Sequence, residues 1–372
     1  MKSKKTTFHN PPSAKRIGII TTGGDCSGLN TAIHRVALGA MLRGWTVFGI
    51  KDGTDGLTFD SDKVIKFNRN TLPIEVARLS GSMLCNGRSG MENFETAAKA
   101  GQHSEFNKRL KKSLESLELD ALVLIGGNGS LSLAYRHAEI YSGLQLICMP
   151  KTIDRDIPMT DTTIGFSTAV QQLVNFCDQL LLTGRSHHRW FVVQTMGRDT
   201  GALALNAGVA LGADAILIPE IKFNVNSLID HINNQPRDYG IILVSEGISL
   251  RGHSGRPAEM ISRQLSAANI ANRAAFPEHT QRAGDTTADD RLLATAMANC
   301  ALDAIENNET YVMTAVRGGR FKTIPLSDFF DAGDIVSDPK IPNMKVSNEY
   351  VQPDDPLLDI AAAMGIYIGE TK

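Results

Sequence analysis

Short apolar runs that end in glycine or a polar turn and then give way to helical periodicity predict an α/β protein. The expectation is two Rossmann-like domains with mainly parallel sheets. Three observations carry it. Lys15–Thr22 is followed by the loop GGDCSGLN and a helical stretch over Thr31–Leu42. Asp120–Ile125 leads into GGNGS and a helix through Ala138. Leu144–Met149 and Trp190–Thr195 end in PKTIDRD and MGRDTG, so the same step from strand to loop recurs. These runs are mainly apolar rather than strictly alternating, as expected of strands covered on both faces.

The remaining elements follow the same logic. Trp45–Ile50 is a strand running into the turn-rich DGTDG, and Ala215–Ile218 and Ile241–Ser245 add two more, with amphipathic helices between. The chain of 372 residues is long enough for two domains at about 150 residues each. A second set of strands and helices begins after Gly165, which marks the expected boundary. In open parallel sheets ligands bind at the carboxyl ends of the strands. The loops GGDCSG, GGNGS, PKTIDRD, MGRDTG and SEG all sit there, so they are expected to converge on one or two clefts.

Composition narrows the class. Lys plus Arg (38) nearly balances Asp plus Glu (40), which argues against a nucleic-acid binder. The five cysteines are odd in number and never spaced C-x-x-C, so neither a disulfide framework nor a zinc ribbon is expected, and the cytoplasm is the expected setting. No apolar run reaches the length of a membrane span. Residues 1–14 are basic without an apolar signal core and read as a flexible tail.

The strand-end loops carry the chemistry. Gly23–Gly28 and Gly126–Ser130 are glycine-rich turns opening helices, where the backbone can approach a phosphate and helix N–H groups are free. Neither is a Walker loop and neither matches G-x-G-x-x-G. In PKTIDRD, Asp154 and Asp156 could divide deprotonation of a hydroxyl from holding a metal through water, with Lys151 and Arg155 adding charge for phosphate oxygens. The same residues also fit a surface turn with local salt bridges. Arg189, Arg198, Arg273, His279 and Arg282 are singly ordinary surface cations, yet jointly could clamp a phosphorylated substrate, with Glu246 on sugar hydroxyls. His187-His188 lacks further ligands at metal spacing and reads as structural.

In order, GGDCSGLN, GSMLCNGR, GGNGS, PKTIDRDIPMTDTTIGF, SHHRWFVVQTMGR, SEG and HTQRAG resemble the phosphofructokinase family, from Arg16 to about Gly369. The likeness is greatest to the branch holding both ATP- and pyrophosphate-using enzymes. It implies a glycolytic 6-phosphofructokinase that moves a phosphoryl group from ATP to the 1-hydroxyl of fructose 6-phosphate, with Mg2+. By position, Asp154 would be the general base, with Asp156, Arg198 and Gly24 also catalytic. Gly24, Arg88, Asn128, Gly129, Ser130 and Lys151 would bind the donor. Thr152, Asp154, Arg189, Met196, Arg198, Glu246, Arg273, His279 and Arg282 would bind the sugar phosphate. Arg189 and Arg273 match arginines that come from a neighbouring subunit, which implies a homodimer or homotetramer with shared sites. The implied domains are 15–165 plus roughly 281–325 for the donor, and 166–280 plus roughly 326–372 for the sugar phosphate.

Three departures carry expectations. Asn128 stands where the family has an acidic residue that helps hold magnesium; an amide can accept from a metal-bound water but adds no charge. Asn128→Asp is therefore expected to tighten magnesium dependence at equal or higher rate. Arg155 replaces an asparagine, and would either lower the pKa of the neighbouring base or turn away toward a nearby carboxylate. Ser27 replaces a proline and is expected to loosen its turn. Gly129 favours ATP as donor, whereas Lys151 is typical of pyrophosphate users; a reversible pyrophosphate-dependent enzyme is the alternative. Another acceptor such as sedoheptulose 7-phosphate is a further one, and a non-catalytic sugar-phosphate-binding subunit is the alternative outside enzymes.

Overall fold

In the computed structural model, the described residues are 14–58, 63–87, 103–248, 255–338, 341–347 and 351–370. Apart from Ala14, the expected tail 1–14 lies outside them. Among the described residues thirteen strands form: β1 (Arg16–Thr21), β2 (Thr46–Ile50), β3 (Val64–Lys66), β4 (Ala121–Gly126), β5 (Gln145–Pro150), β6 (Trp190–Thr195), β7 (Ala215–Leu217), β8 (Gly240–Ser245), β9 (Asn272–Ala275), β10 (Val312–Arg317), β11 (Arg320–Pro325), β12 (Gly333–Asp338) and β13 (Ile341–Ser347). Seven of them make one sheet in the order β11-β10-β5-β4-β1-β2-β3, parallel except at its two edge pairs, β2–β3 and β10–β11. A second sheet, β7-β8-β6-β9, is wholly parallel, and β12 and β13 pair as a separate hairpin. The observed architecture is α/β with mainly parallel sheets, as the apolar runs predict.

Side-chain alternation sorts each central strand between two cores. Ile17 and Ile19 of β1 and Val123 and Ile125 of β4 join Phe191, Val193, Ile241 and Leu243 of the second sheet in one continuous core. Ile20, Leu122 and Leu124 pack on the opposite face of the large sheet, and Trp190, Val192, Ile242 and Val244 on the outer face of the small one. Six helices matter to the site: α1 (Leu29–Leu42), α2 (Asn128–Arg136), α3 (Phe166–Ser186), α4 (Ala202–Leu211), α5 (Pro257–Ala267) and α6 (Ala288–Glu306). Small residues bring α1 and α6 together: a Cβ at Gly39 would lie 2.5 Å from Leu302 Cδ1.

One buried carboxylate fixes the step from the first set of strands to the second. Asp290 of α6 accepts hydrogen bonds from the Gly165 and Thr168 amides at 2.9 and 2.7 Å and from the Thr168 hydroxyl at 2.6 Å. Those are N–H groups at the start of α3 that no helical carbonyl can reach. The catalytic-looking loop 151–164 is thereby held directly before a capped helix.

Candidate active site

The loops expected to bind the donor lie where β1 and β4 end. Gly23 has φ 79, and a Cβ there would lie 3.3 Å from Ser130 Oγ, so conformation and space both demand glycine. Lys151, just past β5, is buried and its ammonium donates to the Gly24 carbonyl. Burial in this apolar setting pulls its pKa below the ordinary lysine value. Gly129 lies in the first turn of α2. Gly23, Asp25, Ser82, Cys85 and Asn86 line a cavity of about 240 Å³ on this side. Arg88 falls outside the described residues.

The loop after β5 is tied to both sheets. Thr152 accepts from the Asp154 amide at 3.0 Å, so its hydroxyl organises the loop. The Asp154 carbonyl accepts from Thr200 Oγ1 at 2.6 Å, a residue of the loop after β6. The Asp156 carbonyl accepts from Asn128 Nδ2 at 2.9 Å, at the start of α2. The Asp154 carboxyl lies within electrostatic reach of Lys151 after β5 and Arg198 after β6, and Asp156 lies near Asp154. Each keeps one buried oxygen, Oδ1, without a hydrogen-bond partner.

Their electrostatics suit proton transfer. Burial pushes the Asp154 pKa up, against the opposing pull of Arg282, Arg198 and Lys151. Asp156 is pushed up to about 6, first by burial and then by Asp154. A carboxylate poised upward, with a free oxygen among cations, is suited to accept a proton from a hydroxyl.

All three departures have structural answers. Asn128 is buried; its amide nitrogen is engaged by the Asp156 carbonyl, and its Oδ1 accepts from Ser132 Oγ at 3.3 Å. An aspartate could not donate to that carbonyl, so the amide ties the loop together. Arg155 turns away from the base: its Nε donates to the Asp161 main-chain carbonyl at 3.1 Å, and its guanidinium lies 5.7 Å from the Phe166 ring centre. Its φ of 54 is the left-handed region that asparagine tolerates better. Ser27 ties its turn to the HTQRAG segment, its hydroxyl donating to the Gly284 carbonyl at 3.1 Å.

In the region expected to bind the acceptor, β6 and β8 end in loops locked to one another. Glu246 Oε1 accepts from the Gly197 and Arg198 amides at 3.1 and 2.8 Å. The Met196 amide donates to Gln281 Oε1 at 3.1 Å. A cavity of about 240 Å³ opens here, lined by Met196, Glu246 and His279 among the residues singled out from sequence. Arg282 leans the other way, donating to the Asp25 carbonyl at 3.0 Å, with Nη1 2.9 Å from where a Gly24 Cβ would lie. It therefore joins the donor loop to the acceptor loop.

Arg189 and Arg273 are not brought to this cavity. Arg189 precedes β6 and Arg273 lies near the amino end of β9, where Phe191 pairs with it. The cavity is at the carboxyl end of β6, by strand rise about 17 Å from Arg189 and about 10 Å from Arg273. Sequence reasoning missed Gln281, Arg256, Phe276 and Glu278 as cavity residues. Gln281 was within reach of it, inside HTQRAG; Arg256 belongs to no motif.

A family model described as Phosphofructokinase matches residues 16–305. The chain belongs to the phosphofructokinase family. It is 34% identical over 374 residues to ATP-dependent 6-phosphofructokinase 1 of Nostoc sp., covering 96% of this chain and 99% of the relative. It is 32% identical over 345 residues to the pyrophosphate–fructose 6-phosphate 1-phosphotransferase of Dictyoglomus thermophilum, covering 85% of this chain and 93% of that one. Among solved structures, phosphofructokinase from Saccharomyces cerevisiae superposes with a TM-score of 0.76 at 27% identity, over 85% of this chain but 45% of the yeast chain. A pyrophosphate-dependent phosphofructokinase from Marinobacter aquaeolei shares the fold at TM-score 0.73 and 20% identity, over 85% of this chain and 83% of its own. Phosphofructokinases are phosphotransferases, and the loops at the carboxyl ends of β1, β4, β5, β6 and β8 carry the phosphofructokinase motifs. Among the described residues no helix is long and apolar enough to cross a membrane.

Proposed function

We propose that this chain is a 6-phosphofructokinase that transfers the terminal phosphoryl group of ATP to the 1-hydroxyl of fructose 6-phosphate. The observation that carries the reading is Asp154, whose carboxylate has a buried, partnerless oxygen in the cleft between the donor loops and the acceptor cavity. Asp154 takes the proton of the 1-hydroxyl as that oxygen bonds to phosphorus. The bond from phosphorus to the ADP oxygen breaks, leaving fructose 1,6-bisphosphate, ADP and one proton. Lys151, Arg282 and Arg198 supply positive charge around the Asp154 carboxylate. Catalysis of this kind is mainly positioning and charge neutralisation.

The residues fit magnesium in part. Asp154 and Asp156 offer partnerless buried oxygens, the hard donors that Mg2+ prefers. Among the described residues no group of three or more His, Cys, Asp or Glu side chains could hold a metal. Mg2+ is therefore read as arriving on the donor phosphates, which it would neutralise, with the two carboxylates contacting its waters. Asn128 has its amide nitrogen engaged elsewhere and is left out of that set. Arg189 and Arg273 are read as serving the cavity of a neighbouring subunit in a homo-oligomer, since they stand at the far end of their own sheet.

Gly129 in the first turn of α2 favours ATP. The buried Lys151 favours pyrophosphate as the second reading, and the Dictyoglomus relative is named for that donor. A coupled assay for fructose 1,6-bisphosphate, with either donor and magnesium titrated, decides. Turnover with ATP is expected. Turnover with pyrophosphate alone would replace the donor, and binding of fructose 6-phosphate without turnover would sink the kinase reading.

A further inference from the structure

Within one subunit the acceptor cavity is short of cations, before any neighbouring subunit adds its arginines. A sugar phosphate needs positive charge, yet Arg282 is turned to the Asp25 carbonyl, and Arg189 and Arg273 lie at the other end of the sheet. Among the described residues that line the cavity, Arg256 carries the one guanidinium. It stands at the residue before α5, with its guanidinium 4.7 Å from the Phe276 ring centre. Its Nη1 is 2.6 Å from Glu278 Oε1. Both side chains are about half exposed, at 49% and 47%. Glu278, also a lining residue, is held at φ 46, a backbone conformation uncommon for glutamate.

We propose that Arg256 is an additional ligand for the acceptor's phosphate, and that Glu278 is its resident counter-ion, displaced when the phosphate enters. The inference rests on the reading of this cavity as a sugar-phosphate site. Stacking on Phe276 orients the guanidinium, whose fork takes carboxylate and phosphate oxygens in the same geometry. An ion pair this exposed is weak, so a phosphate dianion can outcompete a single carboxylate. A neutral sugar cannot. The pair therefore makes the cavity selective for phosphorylated acceptors and keeps its cation neutralised while it is empty.

The test combines steady-state kinetics with calorimetric binding, using fructose 6-phosphate and, separately, inorganic phosphate as probes. Arg256→Ala should raise KM for fructose 6-phosphate by about tenfold to a hundredfold, the value of a charge-assisted hydrogen bond, with KM for the donor unmoved. Arg256→Lys should fall between. Glu278→Gln should lower KM by about threefold to fivefold, because the internal competitor is gone. An unchanged KM in Arg256→Ala overturns the phosphate-ligand assignment, and a raised KM in Glu278→Gln overturns the counter-ion assignment. Failure of the wild type to bind or turn over fructose 6-phosphate would count against the kinase reading instead. Inorganic phosphate then still reads the anion site: equal binding to wild type and Arg256→Ala refutes it.

Discussion

Asn128→Asp separates two meanings of the same position. In the folded chain the Asn128 amide nitrogen donates to the Asp156 carbonyl at 2.9 Å, out of contact with solvent. An ionised aspartate removes that donor and places an oxygen against an oxygen. Leaving a buried carbonyl unsatisfied costs about 1–3 kcal/mol, and the new charge beside Asp156 adds to it. At an unfolding entropy of about 2.1 cal/mol/K per residue, a loss of 2–4 kcal/mol lowers Tm by about 2–5 °C. The loss should depend on pH. Burial raises the pKa of the introduced carboxyl in the folded state, and its protonated form can donate to the Asp156 carbonyl as the amide did. Destabilisation from the charge should therefore be small below about pH 4, grow as pH rises from the unfolded value near 3.9 toward the raised folded pKa, and level off above it. Asn128→Ala, which lacks both donor and charge, should show no such pH dependence. Melting curves of the three proteins at both pH values, with and without magnesium, are the assay. If Asn128→Asp melts with the wild type, turns over at equal or higher rate and needs less magnesium, the position is a weakened metal ligand and the tie is refuted.

Three further outcomes follow from the same cleft. Asp154→Ser should lower turnover by about 10²–10⁴-fold while fructose 6-phosphate binding, read by calorimetry, is largely kept; unaltered turnover would remove Asp154 as the base. Asp156 has its folded pKa raised to about 6, so ionising it in the folded state costs stability that is absent below the unfolded value near 3.8 and complete above about 6. Asp156→Asn should accordingly gain Tm over wild type at neutral pH and not in acid, and an equal shift in both buffers would contradict the burial argument. Arg155→Asn should hold or raise stability by about 0.5–1 kcal/mol, because asparagine suits the left-handed backbone at φ 54. It should leave the acid limb of the pH–rate profile in place, since the guanidinium faces the Asp161 carbonyl; a displaced limb would show that Arg155 acts on the base.

The acceptor residues were unevenly legible. Met196 and Glu246 follow strand ends that an apolar run announces, His279 follows a short strand that none announces, and the three do meet at one cavity. The orientation of Arg155, Ser27 and Arg282 was not legible, because a motif specifies residue type and order but not the side-chain torsions that packing selects. Ser27 looked like a lost proline until Gly284, distant in sequence, supplied the carbonyl for its hydroxyl.

Local patterning alone determined the α/β class, seven of the thirteen described strands and the loops that carry chemistry, since burial on both faces forces mainly apolar runs and tight turns favour glycine. Tertiary structure decided which side chains those loops aim at one another. Asn128 became a tie to Asp156, Arg282 a bridge to Asp25, and Arg256 a cavity cation paired with Glu278. Each of those contacts joins separate segments of the chain, with no periodicity linking the partners. Only the packed sheets bring such groups within hydrogen-bond distance.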